Sequence, residues 1–572
     1  MGSRGESIVV AMVITRVVSV VPRLLSWECG GLLSLCAAAL FVQLKAEHAA
    51  HQFKIQRLNP RPGSSSGIFL GAVTLPTVML SRLIQLQRSL LAYGSESPAL
   101  ETLRLCFWAS CACSLGVLSF LVFVLWYSRE GGNHHSSAKR MQVSAIGIAF
   151  MVAFGIQCSF SLMGNTESGL FISMGMVWLL LHALMSGIVL QYIIHKFPSC
   201  SSIGETLLVT SGLVLYLSDV LACILSKVKM YAPLSNQFVG GLNVKGDEIG
   251  MIVQAFLGSL LLMSVTYNSF LHIWICCIKL IKALASRNDE RTSEKFQTSI
   301  MFYVALGITL IGLTPQWLYY IKDFETHPLL WVIDFILEKP MERLAVCIYW
   351  LAVICVSVLR FYNISKDSKI ERILLRKYYH LLAVIMFVPA LLFDADFLKL
   401  AFGAALAMFL ILEMIRVWQI LPLGDLVNQF MNAFTDHRDS EIIIISHFSL
   451  LLGCAIPIWM SAHFNDRPLA PFAGILSLGI GDTMASMVGH KYGVLRWSKS
   501  GKKTIEGTAA GITSVLFACL VLIPWLTWTS FSSSQDWLSL LIAVIFAGLL
   551  EAYTTQLDNA FIPLIFYSLL CL

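Results

Sequence analysis

Apolar runs of membrane-spanning or near-spanning length recur from one end of this chain to the other, the first near residues 8–24 and the last near 559–572. A helix needs about 20 residues to cross a bilayer, and a segment in lipid must satisfy its backbone hydrogen bonds internally. The pattern therefore predicts an all-α polytopic integral membrane protein with about fifteen transmembrane helices, the shortest runs being half-spans or interfacial. Composition agrees: 57% of the 572 residues are hydrophobic and 13% are charged, against about a quarter charged in soluble domains. No cleavable signal follows the first run, which Arg16 and Arg23 interrupt.

The net charge of +6 is spread over short loops between apolar runs, which argues against a nucleic-acid partner. The 15 cysteines sit mostly inside apolar runs without zinc-like spacing, and read as small buried hydrophobes. Before residue 365 no constellation of acids and bases suggests chemistry. The expected organisation is a multi-span scaffold over 1–365 and a membrane-embedded catalytic region over 366–572.

Within the second region, the stretch Gly479–Gly511 carries more polar and charged groups than a lipid-facing segment tolerates without a reason. Asp482 lies near the membrane end of one run. A basic, glycine-punctuated loop follows, and Lys502, Lys503, Glu506 and Gly507 open the next run. Asp482, Ala485, Ser486 and Gly489 are spaced to share one helix face, and so are Glu551, Thr554, Thr555 and Asp558. Arg372, Arg376 and His380 recur every four residues at the mouth of another run. Arginines flanking spans ordinarily snorkel to headgroups, which suffices for Arg372; for Arg376 with His380 that reading and a functional one stand level.

Four crossings separate Lys377 from Lys491. The loops at 365–377, 422–441 and 491–503 then share one side, and their Lys and Arg make it cytoplasmic. Two further crossings return Glu551 and Asp558 to it, while Asp394, Asp396 and Asn465 fall opposite. The sequon Asn363-Ile364-Ser365 is on the cytoplasmic side in this count and is expected to be unmodified.

Phosphate is bound by lysines as point charges and by backbone N–H groups at glycine-rich turns and helix N-termini. Gly493, Arg496, Gly501, Lys502, Lys503, Thr504, Glu506, Gly507 and Thr508 form the candidate nucleotide-binding segment, although no Walker A spacing is present. Asp482 and Asp558, with Glu506 and Glu551 as second choices, are hard oxygen ligands suited to Mg²⁺ bridging phosphates. Phosphoryl transfer needs those parts and a positioned acceptor hydroxyl. The inventory fits a nucleotide-dependent transferase with a membrane acceptor. A transporter using Asp482 and Glu551 as ion ligands is the competing reading. A plain lipid-binding basic patch would explain the lysines and leave Asp482, Glu506 and Asp558 unexplained.

The pieces RKYYHL (376–381), LEMIR (412–416), PLG (422–424), RDS (438–440), GDTMAS (481–486), RW…GKKTIEGT (496–508) and LEAYTTQLDN (550–559) occur in the order found in dolichol kinases, and the C-terminal 200 or so residues resemble that family. Phytol and other polyprenol kinases are more distantly similar, and phosphatidate cytidylyltransferases more loosely still. The resemblance implies CTP as phosphoryl donor, dolichol as acceptor, the endoplasmic reticulum membrane as compartment and a site facing the cytosol. It also implies a role for Gly493–Thr508 in CTP binding. On the residues themselves, Lys502 and Lys503 are expected to hold phosphates, Asp482 and Asp558 to coordinate metal or activate the acceptor in either order, with Lys503 among the catalytic groups, and Arg376, His380, Ser486 and Glu551 to support them. Where relatives often show a Pro-Gly turn before the lysines, this chain reads Trp497-Ser498-Lys499-Ser500-Gly501. Another polyprenol acceptor, a cytidylyltransferase reaction and a transporter remain as alternatives at this point.

Overall fold

A computed structural model describes residues 2–52, 61, 64–93, 98–129, 155, 169–198, 200–228, 247–285, 291–322, 324, 326–366, 372–432, 444–461, 466–497, 503–528 and 536–572. The described residues contain nineteen α-helices and no β-strand. In chain order these are α1 (Gly2–Ser19), α2 (Ser26–Gln52), α3 (Ile68–Tyr93), α4 (Pro98–Arg129), α5 (Gly169–Lys196), α6 (Ile203–Val228), α7 (Glu248–Ala285), α8 (Arg291–Gly307), α9 (Thr314–Lys322), α10 (Pro328–Glu338) and α11 (Pro340–Lys366). They continue with α12 (Arg372–Phe393), α13 (Ala395–Trp418), α14 (Gly424–Asn432), α15 (Ile445–Met460), α16 (Thr483–Tyr492), α17 (Ile505–Trp528), α18 (Trp537–Tyr553) and α19 (Asp558–Leu570). π-Helical stretches cover Ile308–Leu313 and Ile475–Asp482.

Ten segments among the described residues are long and apolar enough to cross a membrane, and four shorter apolar helices join them, at Lys377–Phe393, Phe448–Met460, Trp537–Tyr553 and Asp558–Leu570. The expected all-α polytopic architecture is therefore present. The apolar run read at 142–163 lies outside the described residues, Gly155 excepted. Many helices leave large apolar side chains uncovered, as Leu344, Ile348, Leu351 and Val358 do on α11. In a chain this apolar, lipid is the solvent for such faces.

Two compact units are present. One comprises Met1–Val244, Ser357–Val388 and Gly453–Leu572; the other comprises Lys245–Val356 and Pro389–Leu452. The second unit has its own core, built from Leu260, Met263, Tyr267, Phe302, Met414 and Ile415 among others. There the LEMIR segment forms a buried ion pair, with Arg416 Nη2 2.7 Å from Glu413 Oε1, and the same carboxylate oxygen accepts the Ile444 N–H at 3.1 Å. A second pair joins Arg343 to Asp394 at 2.9 Å. Charges at such depth persist because each is matched.

The first unit is organised around α19. Its side chains from Phe561 to Leu570 are all buried, the mark of a helix enclosed on every side. At 13 residues it is about 20 Å long, too short to cross. Helices α3 and α18 and the Ile475–Asp482 stretch pack against it. Polar contacts fix its register: Ser568 Oγ is 2.8 Å from Ser81 Oγ on α3. Helices α16 and α17 also pack together, through small residues. A Cβ on Gly507 would come within 2.5 Å of the Ala485 carbonyl oxygen and 3.0 Å of Gly489 Cα. Small residues spaced by four are what allow two backbones this close in a membrane.

Candidate active site

Asp482 ends the π-helical stretch that begins at Ile475. Such widened turns concentrate at functional sites because they re-aim a side chain within an otherwise regular helix. Here the Asp482 carboxylate is buried and faces α12. Lys377 Nζ donates to Asp482 Oδ2, and His380 Nδ1 lies 3.2 Å from the same oxygen and 3.2 Å from the Leu478 carbonyl. Lys377 and His380 thus both meet Oδ2. Close approach of α12 depends on Gly479, where a Cβ would meet Val384 Cγ2 at 2.2 Å.

The loop from α16 to α17 leaves the helix at Gly493, whose absent Cβ would meet Gly489 O at 2.3 Å and Thr504 Cγ2 at 2.6 Å. The two loop arms then pair: Arg496 and Thr504 form an antiparallel bridge, Trp497 N–H donates to Lys503 O at 3.2 Å and Ile505 N–H to Leu495 O at 2.8 Å. Thr504 caps α17, its hydroxyl accepting the Gly507 N–H at 3.2 Å. Glu506 accepts the Leu495 N–H at 3.0 and 3.3 Å on its two oxygens, and Thr508 Oγ1 accepts from Trp497 Nε1 at 2.9 Å. Glu506, Thr504 and Thr508 are in this way occupied with holding the hairpin. Arg496 stays exposed. Gly501 and Lys502 lie outside the described residues.

Lys503 leaves the hairpin towards α18 and α19. Its ammonium donates to the Glu551 carbonyl oxygen and lies 3.6 Å from Asp558 Oδ2, with the two side chains 34% and 19% exposed. Lys503 thus presents a partly exposed ammonium on the loop side of Asp558. Glu551 lines one crevice together with Gly481, the neighbour of Asp482 in the chain, so the two clusters border the same space. Among the described residues no three His, Cys, Asp or Glu side chains form a ready-made metal cage. Mg²⁺ does not require one, since it keeps waters and binds through one or two carboxylates together with substrate phosphates. Asp558 and Glu551, lying beside a phosphate-competent lysine, fit that mode.

Beside Glu551, a narrow open crevice runs between the Ile475–Asp482 stretch, α17, α18 and α19, lined by Gly481, Ile512, Ala547 and Phe566 among others. It is apolar along its walls and acidic at Glu551.

Sequence reasoning brought Asp482, Lys503, Glu551 and Asp558 to one membrane face; the fold joins Lys503 to Asp558 and to the Glu551 carbonyl, and joins Asp482 to Lys377 and His380. It differs in three respects. Glu551 and Asp558 are not on one helix: α18 stops at Tyr553, Thr554–Leu557 form a turn, and α19 begins at Asp558. The reason lies in that turn, whose polar groups are bound by residues far away in sequence and so do not continue a helix. Second, Lys377, which the sequence reading did not single out, meets Asp482, with His380 beside it; the Arg376 side chain lies outside the described residues. Third, Ser486 is half-buried on α16, with Ala485 and Gly489 taking the face towards α17. The DHRDSE segment, including RDS, lies outside the described residues.

Comparison with known proteins supplies the family. A family model described as dolichol kinase matches residues 169–515. The chain belongs to the dolichol kinase family. Over 569 residues, 99% of this chain and 98% of that protein, it is 49% identical to "Dolichol kinase EVAN" of Arabidopsis thaliana. It is 29% identical to the human dolichol kinase over 415 residues, 70% of each chain, and 33% identical to that of Saccharomyces cerevisiae over 271 residues. No solved structure gives a significant match. Dolichol kinases are phosphotransferases with an alcohol acceptor, which places a nucleotide donor and a lipid hydroxyl among the needs of this site. The family match spans Asp482, Lys503 and the paired loop; Asp558 and Glu551 fall beyond it, within the stretch shared with the Arabidopsis protein.

Proposed function

We propose that this protein transfers the γ-phosphoryl group of CTP to the terminal hydroxyl of dolichol, giving dolichyl phosphate and CDP, in the endoplasmic reticulum membrane with the site facing the cytosol. The observation that carries the residue assignment is the contact of Lys503 with Asp558 and the Glu551 carbonyl, beside a crevice that Glu551 and Gly481, next to the Lys377-bound Asp482, both line. The family supports the acceptor and the need for a nucleotide. The choice of CTP, and the compartment, rest on the resemblance of the Gly493–Thr508 segment and of the C-terminal 200 or so residues.

In this reading the paired loop, with Lys502 and Lys503, holds the donor phosphates. Asp558 and Glu551 would hold Mg²⁺, which would supply neutralisation of the donor's phosphate charge. The acceptor's isoprenoid end lies in the crevice beside Glu551, its remaining units passing into lipid. The hydroxyl oxygen bonds to the γ-phosphorus as the bond from that phosphorus to the β–γ bridging oxygen breaks, and CDP leaves. The hydroxyl proton passes to Asp482, whose Oδ1 carries neither Lys377 nor His380 and is the oxygen assigned to receive it. Lys377 and His380 keep that carboxylate oriented, as the partner of a general base does. Arg376, one residue from Lys377, is assigned to the phosphates.

Asp482→Asn tests the assignment. The variant should insert and fold but lose turnover, measured as label transfer in detergent per folded molecule. Wild-type turnover in that variant would remove Asp482 from the chemistry.

A further inference from the structure

The Thr554–Leu557 turn between Glu551 and Asp558 is held by the N-terminal part of the chain. Glu205, at the start of α6, is buried and accepts the Leu557 N–H at 2.7 Å on Oε1 and the Ser202 N–H at 2.8 Å on Oε2. Arg61 balances its charge, with Nη2 2.7 Å from Glu205 Oε1, and the same nitrogen donates to the Thr555 carbonyl at 3.2 Å. Gln556, fully buried, donates to Ser65 O at 3.0 Å and Ser65 Oγ at 2.8 Å and accepts from Ser202 Oγ. Thr554 donates to Glu6 Oε2 at 2.9 Å, and Thr555 Oγ1 accepts the Ser65 N–H at 2.9 Å. Gly67, at φ +60°, sits so close that a Cβ there would come within 2.5 Å of the Gln556 amide. Every residue of the turn is thus gripped by groups from residues 6–205.

A scaffold that only filled lipid would not converge a buried ion pair, a buried amide and a left-handed glycine on the four residues leading into Asp558. Buried ionic and amide groups are expensive unless matched, and these are matched by that turn. We infer that Glu205, Arg61 and Gln556 are positioning residues for the phosphoryl transfer: they fix the Thr554–Leu557 turn, and through it the Asp558 carboxylate relative to Lys503. The N-terminal helices then belong to the active site as its supporting wall. This rests on the assignment of Asp558 to the metal-bound donor, and the experiment separates the two claims.

Full-length protein in detergent is assayed as wild type, Glu205→Gln, Asp558→Asn and Glu28→Gln. The last breaks an equally buried pair, Glu28 with Arg104 at 2.7 Å, in the same N-terminal half but away from the turn. Displacement of a reacting group by about 1 Å can cost on the order of a hundredfold. Glu205→Gln should therefore lower kcat per folded molecule by about ten- to a hundredfold and raise the Mg²⁺ concentration for half-maximal activity several-fold. Glu28→Gln should lower thermal stability and leave both constants per folded molecule alone. If Glu205→Gln accumulates poorly, the rim pair Ser65→Ala with Thr555→Val, which removes side-chain bonds to the same turn, should shift the half-saturating Mg²⁺ in the same direction. Asp558→Asn inactive with wild-type constants in Glu205→Gln, or in the rim variant where it stands in, overturns the inference and leaves the site assignment standing. An active Asp558→Asn overturns both.

Discussion

Replacing Lys377 by methionine separates the structural from the chemical work of the Lys377–Asp482 pair. The two side chains are 6% and 5% exposed, so water screens neither. Removing one partner of a buried ion pair typically costs about 3–5 kcal/mol, because the other charge is left uncompensated. His380 stays within 3.2 Å of Asp482 and methionine fills much of the lysine stem's space, so the lower end, about 3 kcal/mol, is expected. The double variant Lys377→Met with Asp482→Asn removes the orphaned charge as well and should recover most of that loss. Both variants should be inactive, the single because Asp482 is no longer held in orientation, the double because the carboxylate is gone. The assay is thermal unfolding in detergent followed by intrinsic fluorescence, with label transfer measured on the same preparations. A single variant as stable as wild type, or a double variant no more stable than the single, would refute the picture of a buried pair whose charges depend on each other.

Three other variants probe separate parts of the site. Lys503→Ala should raise the KM for the nucleotide, and lower kcat too if the contact strengthens in the transition state; unchanged kinetics would remove Lys503 from the donor site. Gly507→Val should destabilise the protein by more than about 1 kcal/mol through overpacking, since even a Cβ would sit 2.5 Å from the Ala485 carbonyl; a melting midpoint equal to wild type would contradict the close packing of α16 on α17. Ala547→Leu, which narrows the crevice beside Glu551, should raise the KM for dolichol while leaving that for CTP within about twofold, and equal effects on both would argue that the acceptor lies elsewhere.

What the sequence made readable, and what it hid, follows from range. The all-α membrane body was legible because lipid forces long apolar runs, and runs of 20 residues need no tertiary information. Asp482, Lys503 and Asp558 were legible because charges in such a chain are rare and each stands near a predicted span end. Lys377 was not. The sequence reading followed the four-residue spacing through Arg372, Arg376 and His380, yet the contact to Asp482 falls to the residue three before His380. A reading that weighed both spacings of a helix face, three and four, would have kept Lys377 in view. The break between α18 and α19 was equally hidden, because Thr554–Leu557 is compatible with a helix locally and is held open by Arg61, Ser65 and Glu205. Those residues are ordinary polar positions near span ends in the sequence. Only their convergence on one turn gives them meaning, although a glutamate opening an apolar run at Glu205 was a signal of the kind that singled out Asp482.

The central claim is tested most directly by following phosphate. Purified protein in detergent with Mg²⁺ would be given γ-labelled CTP or ATP and either dolichol or phytol, and the extracted lipid counted. Label passing from CTP into dolichyl phosphate, with CDP released and no pyrophosphate, is the predicted result. Label arriving only from ATP or only on phytol would contradict the proposed donor or acceptor, and no transfer under any pairing by folded protein would contradict the assignment of a kinase to this site.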